Sequence, residues 1–332
     1  MTVDLSRIKS AFMAFAKHRV AVLGDLMLDS FVIGDVDRIS PEAPVPVLVK
    51  QRQEYYAGGS ANVATNIVEL GAQATAIGVA GEDEAGFELV RLLDRKGIDT
   101  SFILKSASAT TTIKTRYVSM GHQLLRVDEE RYLHWPDIGA SPNISALEDC
   151  TVLLVSDYNK GVIPLWAADY ISRAIEKGMP VVVDPKPPNW KYYAGCDVVT
   201  PNKKESLSII TQAANPANNT DYDSEAMRVE IAHAVCGESG AKNAVMTLGA
   251  DGMLAWDGNR LETIPSHRVQ VFDPTGAGDS VIAAIALSKA AGLTLFEAAH
   301  VANAAGAVAV SRPGIARVSR TDILRVLDSD IR

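Results

Sequence analysis

Val152-Leu153-Leu154-Val155-Ser156-Asp157-Tyr158 begins a stretch that continues through a helical pattern, Pro164–Lys177, closed by Gly178, and resumes as Val181-Val182-Val183-Asp184-Pro185-Lys186. The two apolar runs are unbroken, not alternating, which is what strands covered on both faces require. A glycine just past the last helical turn is a common helix stop. Strand, helix and strand in that order read as a parallel pair joined by a crossover, the unit of an α/β sheet.

The same rhythm extends outward in both directions. Val20–Leu23, Ala76–Val79, Val198–Thr200 and Ala244–Thr247 are further continuous runs, and Ala61–Leu70 and Gly86–Lys96 are helical patterns closed by Gly71 and Gly97. The expected fold is therefore a doubly wound, mostly parallel α/β sheet. Two stretches break the rhythm. Phe31–Tyr56 holds three prolines and no helical period, and Thr110–Asp128 alternates through Ile113, Thr115 and Tyr117. Both are read as strands of a small β lid projecting from the sheet. Asn215–Asn219 reads as a solvent loop. With no repeat and no linker, residues 1–332 are expected to form one domain.

Composition limits the function. With 47% hydrophobic and 22% charged residues the chain suits a globular enzyme, and a formal charge of −8 argues against a nucleic-acid partner. Cys150, Cys196 and Cys236 are far apart and suggest neither disulfides nor a zinc knuckle, and no two of the six histidines have zinc-ligand spacing. Charged residues Asp4, Arg7 and Lys9 precede any long apolar run, which argues against a secretory leader. The most apolar stretch, Ser280 to Val310, is interrupted by Lys289, Glu297, His300 and Asn303, short of the roughly 20 uninterrupted apolar residues of a membrane span. A cytoplasmic protein without a membrane partner is expected.

The strongest chemical signal is Asp273-Pro274-Thr275-Gly276-Ala277-Gly278-Asp279-Ser280, read as lying between a strand, Val269–Phe272, and a helix of small residues, Val281–Ala291. Glycines there let the backbone turn and approach a ligand closely. The N–H groups of Ala277, Gly278 and Asp279 would then face an anion at a helix N-terminus. A carboxylate in such a cluster can take a proton from a hydroxyl attacking a phosphoryl group. The competing reading is a tight turn with Asp279 as an ordinary cap. A Rossmann fingerprint fits poorly, because Val281 stands where its third glycine belongs, and no P-loop motif is present.

Weaker signals accompany it. Gly58-Gly59-Ser60-Ala61-Asn62 opens a helix, and Asn62 offers donors and acceptors suited to a polyol. Asn202 and Glu205 share one face of a helix's first turn and could hold a hydrated Mg²⁺. Asp25 and Asp29 follow the first strand, and Ser156-Asp157-Tyr158-x-Lys160 and Asp184-Pro185-Lys186 follow two others. All would reach the sheet edge where open α/β folds bind ligands.

The Gly58–Ala64 and Asp273–Ser280 segments resemble the two signatures of the PfkB (ribokinase-like) carbohydrate kinases, Asn202-x-x-Glu205 their magnesium motif, and Thr247-x-Gly249 their nucleotide loop. The resemblance runs over essentially the whole chain. A narrower one, to the D-glycero-β-D-manno-heptose 7-phosphate kinases, lies in Gly24–Asp29, in Arg38-Ile39-Ser40-Pro41-Glu42-Ala43-Pro44-Val45-Pro46-Val47, in Lys114-x-Arg116, and in Gln123-x-x-Arg126-x-Asp128. It extends to Ser156-Asp157-Tyr158-x-Lys160-Gly161 and Asp184-Pro185-Lys186. No H-x-G-H motif follows, so a nucleotidyltransferase domain is not expected.

The resemblance implies an ATP- and Mg²⁺-dependent kinase acting on the anomeric hydroxyl of the heptose phosphate, a step towards ADP-heptose for lipopolysaccharide core. It implies Asp279 as base and the Gly276, Ala277, Gly278 and Asp279 backbone as anion hole. Asn202, Glu205, Thr247, Gly249 and Asn303 would line the ATP side, with Asn202 and Glu205 reaching the metal through water and Lys186 serving either set of phosphates. Asp29, Gly58, Gly59 and Asn62 would hold sugar hydroxyls, and Arg116, Arg126 and Lys160 the sugar phosphate. Lid ribbons with open edges and apolar faces imply a homodimer formed through the lids. Alternatives are a PfkB-family kinase for fructose, ribose or a nucleoside, a non-catalytic sugar sensor, against which Asp279 counts, and, more distantly, a dehydrogenase.

Overall fold

The computed structural model describes residues 4–140, 142–213, 224–312, 314 and 317–329, so the loop expected at Asn215–Asn219 lies outside the described residues. In chain order the strands are β1 (Arg19–Gly24), β2 (Leu26–Ile39), β3 (Pro46–Gly59), β4 (Gln73–Gly81), β5 (Asp99–Ser106), β6 (Thr112–Ser119) and β7 (His122–Glu129). There follow β8 (Val152–Ser156), β9 (Val181–Asp184), β10 (Val198–Val199), β11 (Asn243–Thr247), β12 (Met253–Trp256) and β13 (Leu261–Ile264).

All six continuous apolar runs lie in one sheet of order β13-β12-β11-β10-β9-β8-β1-β4-β5. It is parallel from β5 to β11, with β12 and β13 antiparallel at one edge. Successive residues of a strand face opposite sides, and here each side is a core. Val20, Val22, Val152, Leu154 and Val182 pack with Ile67, Ile285 and Val301. Ala21, Leu23, Leu153, Val155 and Val183 pack with Trp166, Tyr170 and Ile231. Complete burial of each valine or leucine contributes roughly 1.5–3 kcal/mol. That is why these strands carry no alternation: a polar residue on either face would enter a core.

The doubly wound sheet is thus as expected, and the helices over Ser60–Glu69, Glu84–Arg95 and Val162–Glu176 lie where the periodicity put them. Two local expectations are corrected. Val269–Phe272 is not a strand: Phe272 N–H donates to the Val310 carbonyl at the end of a helix, at 2.8 Å, and not to a strand. The helix expected from Val281 starts at Ala277 and runs to Ala290, so Asp279 lies inside its first turn. That helix is buried continuously from Asp279 to Ser288, and its alanines admit close packing against the helices over Ser60–Glu69 and Leu295–Val310.

The two segments that broke the rhythm form a separate sheet, β3-β2-β6-β7. β2 and β3 are an antiparallel pair from Leu26↔Gly59 to Ile39↔Pro46, with register shifts between Ile33 and Gly34 and between Val36 and Arg38, and β2 pairs in parallel with β6. Pro41 and Pro44 fall in the connection and Pro46 takes the first position of β3, where a missing N–H is tolerated. Every residue of β7 is exposed. Only Asp25 separates β1 of the large sheet from β2 of the small one.

Candidate active site

The C-terminal ends of β1, β8, β9 and β11 converge with the base of the small sheet on the N-terminus of the helix Ala277–Ala290. Gly276, at φ 74, is the residue before that helix. A Cβ here would lie 3.2 Å from Asn62 Nδ2, so both the left-handed backbone and the close approach require glycine. Ala277 N–H turns back to the Pro274 carbonyl at 3.3 Å. Gly278 and Asp279 supply first-turn N–H groups that a helix leaves without intrahelical acceptors, with the positive end of the dipole behind them.

Asp279 is buried, and each of its carboxylate oxygens is held. Asn62 Nδ2 donates to Oδ2 at 2.6 Å, and the Tyr158 hydroxyl donates to Oδ1 at 2.6 Å. Burial pushes the carboxyl up to about 6, with neighbouring Asp29 adding to the rise and Tyr158, Asn62 and Lys186 opposing it. A group at that level is mostly ionised near pH 7 yet basic enough to accept a proton.

The cleft above Asp279 has a volume of about 290 Å³. On one wall stand Met27, Asp29, Gly59, Asn62, Lys114 and Arg116. Arg116 Nη1 lies 2.5 Å from Asp29 Oδ1, and both side chains are largely buried. Gly58 stands behind Asp29: a Cβ on it would come within 2.6 Å of Asp29 Oδ2. Gly59, at φ 57, turns β3 into the following helix.

On the other wall are Asp184, Lys186, Thr200, Asn202, Glu205 and Thr247. Asn202 and Glu205 cap each other, Asn202 N–H donating to Glu205 Oε2 at 2.9 Å and Glu205 N–H to Asn202 Oδ1 at 3.0 Å. Glu205 Oε1 also pairs with Lys186 Nζ at 2.5 Å. Burial, reinforced by Glu205 and moderated by Lys186, holds the Asp184 carboxyl well above its usual range. Burial alone would lower Lys186, but Asp184 and Glu205 outweigh it and raise it.

A second hollow, of about 850 Å³, opens on the far side of Thr247, Gly278 and Val281, which line both. Gly249, Met253, Val271, Ala277, Asn303 and Gly306 contribute to its walls. Asn303 donates through Nδ2 to the Pro265 carbonyl at 2.8 Å. An apolar slot joined to a polar cleft suits a ligand with a flat ring at one end and phosphates at the other.

The geometry thus brings together Asp29, Gly58, Gly59, Asn62, Arg116, Lys186, Asn202, Glu205, Thr247, Gly276, Gly278 and Asp279, with Gly249, Ala277 and Asn303 in the adjoining hollow. Neither Arg126 nor Lys160 lines the cleft, although the Glu130 oxygen that pairs with Lys160 also lies 3.8 Å from Lys114 Nζ. Arg126 pairs with Asp128 at 2.8 Å on the exposed lid, and Lys160 with Glu130 at 2.7 Å. Tyr158 and Asp184 line the cleft, at the sheet edge where the sequence put their segments, and Lys114 lines it too although sequence reasoning gave it no role. Lys114 was within reach, since it lies two positions from Arg116 on the same face of a strand. Asp25 does not share the rim with Asp29; it is 2% exposed and bonded to backbone.

A family model described as pfkB family carbohydrate kinase matches residues 17–322. The bifunctional protein HldE of Caulobacter vibrioides is 40% identical over 304 residues, covering 90% of this chain and 61% of its own length. The bifunctional protein HldE of Trichlorobacter lovleyi is 36% identical over 322 residues, 93% of this chain and 62% of its own. The chain therefore spans about three fifths of the length of these relatives. The structure of Escherichia coli phosphofructokinase-2 in complex with potassium superposes with a TM-score of 0.75 at 23% identity, over 95% of this chain and 99% of that one. Arabidopsis thaliana ribokinase complexed with ribose and ATP gives 0.71 at 18%, over 93% and 98%. At those identities the likeness is one of fold.

Proposed function

The chain belongs to the pfkB family of carbohydrate kinases, and from that premise we propose that it transfers the γ-phosphoryl group of ATP to the anomeric C1 hydroxyl of D-glycero-D-manno-heptose 7-phosphate, giving the 1,7-bisphosphate. The observation that carries this reading is Asp279, held on both carboxylate oxygens where a polar cleft meets an apolar slot. In this mechanism Asp279 accepts the C1 hydroxyl proton as that oxygen attacks the γ-phosphorus and the bond to ADP breaks. The Gly278 and Asp279 N–H groups stabilise charge on the transferring oxygens, where fixed dipoles act most strongly.

Asn202, Glu205 and Asp184 offer carbonyl and carboxylate oxygens on the wall of the cleft that also carries Thr247, one of the residues shared with the second hollow. Among the described residues no three of His, Cys, Asp or Glu gather into a cage. That donor set fits Mg²⁺ held by one or two carboxylates through waters and by the phosphates. When bound, the cation neutralises phosphate charge, and Lys186 stands ready to share that task.

Lys114 and Arg116 support a phosphorylated sugar, since they are the cations on the Asp29 side of the cleft. The fully exposed β7, with Leu125 and Val127 among its residues, supports a homodimer through the lids. Among the described residues no helix is long and apolar enough to cross a membrane, and we assign the enzyme to the cytoplasm, where ATP is available. ADP release measured across phosphorylated and free sugars tests the assignment. Heptose 7-phosphate should be preferred, and equal use of free ribose or fructose overturns the heptose reading.

A further inference from the structure

Asp25 is 2% exposed, and among the described residues no ion pair to it is found, which is costly for a carboxylate unless hydrogen bonds replace the lost water. They do. Oδ2 accepts from Tyr158 N–H at 2.9 Å and Lys160 N–H at 3.1 Å, and Oδ1 from Val162 N–H at 3.2 Å. These groups lead into the helix Val162–Glu176, whose own N-cap is Gly161 and supplies no side-chain acceptor. Asp25 is thus the cap of a helix that begins 137 residues later. Asp157 holds the same loop from the other side, accepting from Asn159 N–H at 2.6 Å, from Asn189 Nδ2 at 2.8 Å, and from the Tyr193 hydroxyl.

What this pinned loop carries is Tyr158. Its hydroxyl reaches Asp279 Oδ1 at 2.6 Å, and Lys186 Nζ lies 5.9 Å from the centre of its ring. With Asn62 on the other oxygen, the Asp279 carboxylate cannot rotate about its own bond without breaking one of two short contacts. We propose that Tyr158 is a positioning residue that orients the Asp279 carboxylate, and that buried Asp25 acts through the loop backbone to hold Tyr158 in place. This rests on the reading of Asp279 as the base and adds what aims it.

The phenol donates to the ionised carboxylate, so its loss favours the protonated form. The other groups facing Asp279 are Asp29 from β2, Lys114 and Arg116 from β6, Asp184 and Lys186 after β9, and Glu205 from the helix Lys203–Ala213. Tyr158→Phe leaves all of them in place.

The test is a double-mutant cycle of Tyr158→Phe and Asp25→Asn, with kcat, both KM values and the pH profile read on each protein. Tyr158→Phe should lower kcat by about 10- to 100-fold, the scale of a hydrogen bond to a charged group, while both KM values move little. Its acid limb should move to higher pH. Asp25→Asn should lower kcat in the wild-type background and add little in the Tyr158→Phe background. Full multiplication of the two losses overturns the role of Asp25, and an unchanged kcat and acid limb in Tyr158→Phe overturn that of Tyr158. Carbon-13 titration of the Asp279 carboxyl in wild type and Tyr158→Phe needs no substrate. A rise on losing the phenol supports the proposal even for an enzyme inactive on every sugar tried, and an unchanged titration sinks it. Failure of the base reading has a separate sign, full activity in Asp279→Asn.

Discussion

Arg116 and Asp29 approach to 2.5 Å although 87 residues separate them, because β2 and β6 run parallel and in register from Met27↔Thr112 to Ile33↔Val118. The guanidinium also lies 5.2 Å from the centre of the Phe31 ring. Arg116 is therefore tied to Asp29 inside the cleft and not to the outer surface of the lid. Arg116→Ala should reduce kcat/KM on phosphorylated and free sugars, and more on the phosphorylated one, since it releases Asp29 and also removes a cation. Lys114→Ala should act on the phosphorylated sugar alone, by about 10- to 100-fold for one charge-assisted contact. Arg126→Ala, paired with Asp128 at the exposed lid, should change neither by more than about threefold, as surface ion pairs are weak. Steady-state kinetics on both sugars checks all three, and a phosphate-specific loss in Arg126→Ala would reverse the placement.

Asp279→Asn should fold and bind ATP but lose roughly 10²–10⁴-fold in kcat, the usual contribution of a general base. Retention of more than about a tenth of the wild-type rate would remove Asp279 from that role. The sign of the pH dependence follows from its carboxyl, raised to about 6 by burial. Only the ionised form accepts a proton, so kcat should climb as pH rises through about 6 and level off above it. A profile flat from pH 5 to 8 would contradict this.

Lys186 and Glu205 pair with each other on one wall of the cleft. Glu205→Gln should raise the Mg²⁺ concentration needed for half-maximal rate more than it raises the sugar KM, because Glu205 acts on the metal side of the cleft. It also removes the partner of Lys186, so ATP affinity at saturating Mg²⁺ should change by less than the metal requirement does. Magnesium titrations at fixed sugar check this, and a change confined to sugar KM would displace the motif from the metal.

Sedimentation at micromolar protein should give a dimer, and charged substitutions at Leu125 and Val127 on β7 should yield monomers. Both side chains are exposed on an open edge strand, 57% and 38% respectively. A monomeric wild type would count against lid pairing.

The interior parallel strands were readable because burial on both faces writes an unbroken apolar run. β5 and β13 were not, since edge strands such as Asp99–Ser106 and Leu261–Ile264 are half exposed and mix polar with apolar residues. Val269–Phe272 misled for the opposite reason. Val271 and Phe272 are apolar yet 63% and 58% exposed, beside the slot and not within a sheet. The glycine-rich turns and Asp279 were legible from their spacing. The partners Asp29 and Arg116, or Asp25 and Val162, were not, because tertiary register decides them and no local pattern records it.

The junction between the two sheets is short and doubled. Asp25 alone joins β1 to β2, Gly59 joins β3 directly to a helix, and Ser60 N–H donates to the Asp25 carbonyl at 3.1 Å. Rotation about that junction would carry Asp29, Lys114 and Arg116 as one body and leave Asp279, Tyr158 and Lys186 in place. The Asp29 side of the cleft and the Asp279 side thus belong to different sheets, joined at this point by one residue and one hydrogen bond. A ligand that touches both Asp29 and Asp279 would therefore span this junction and brace one sheet against the other.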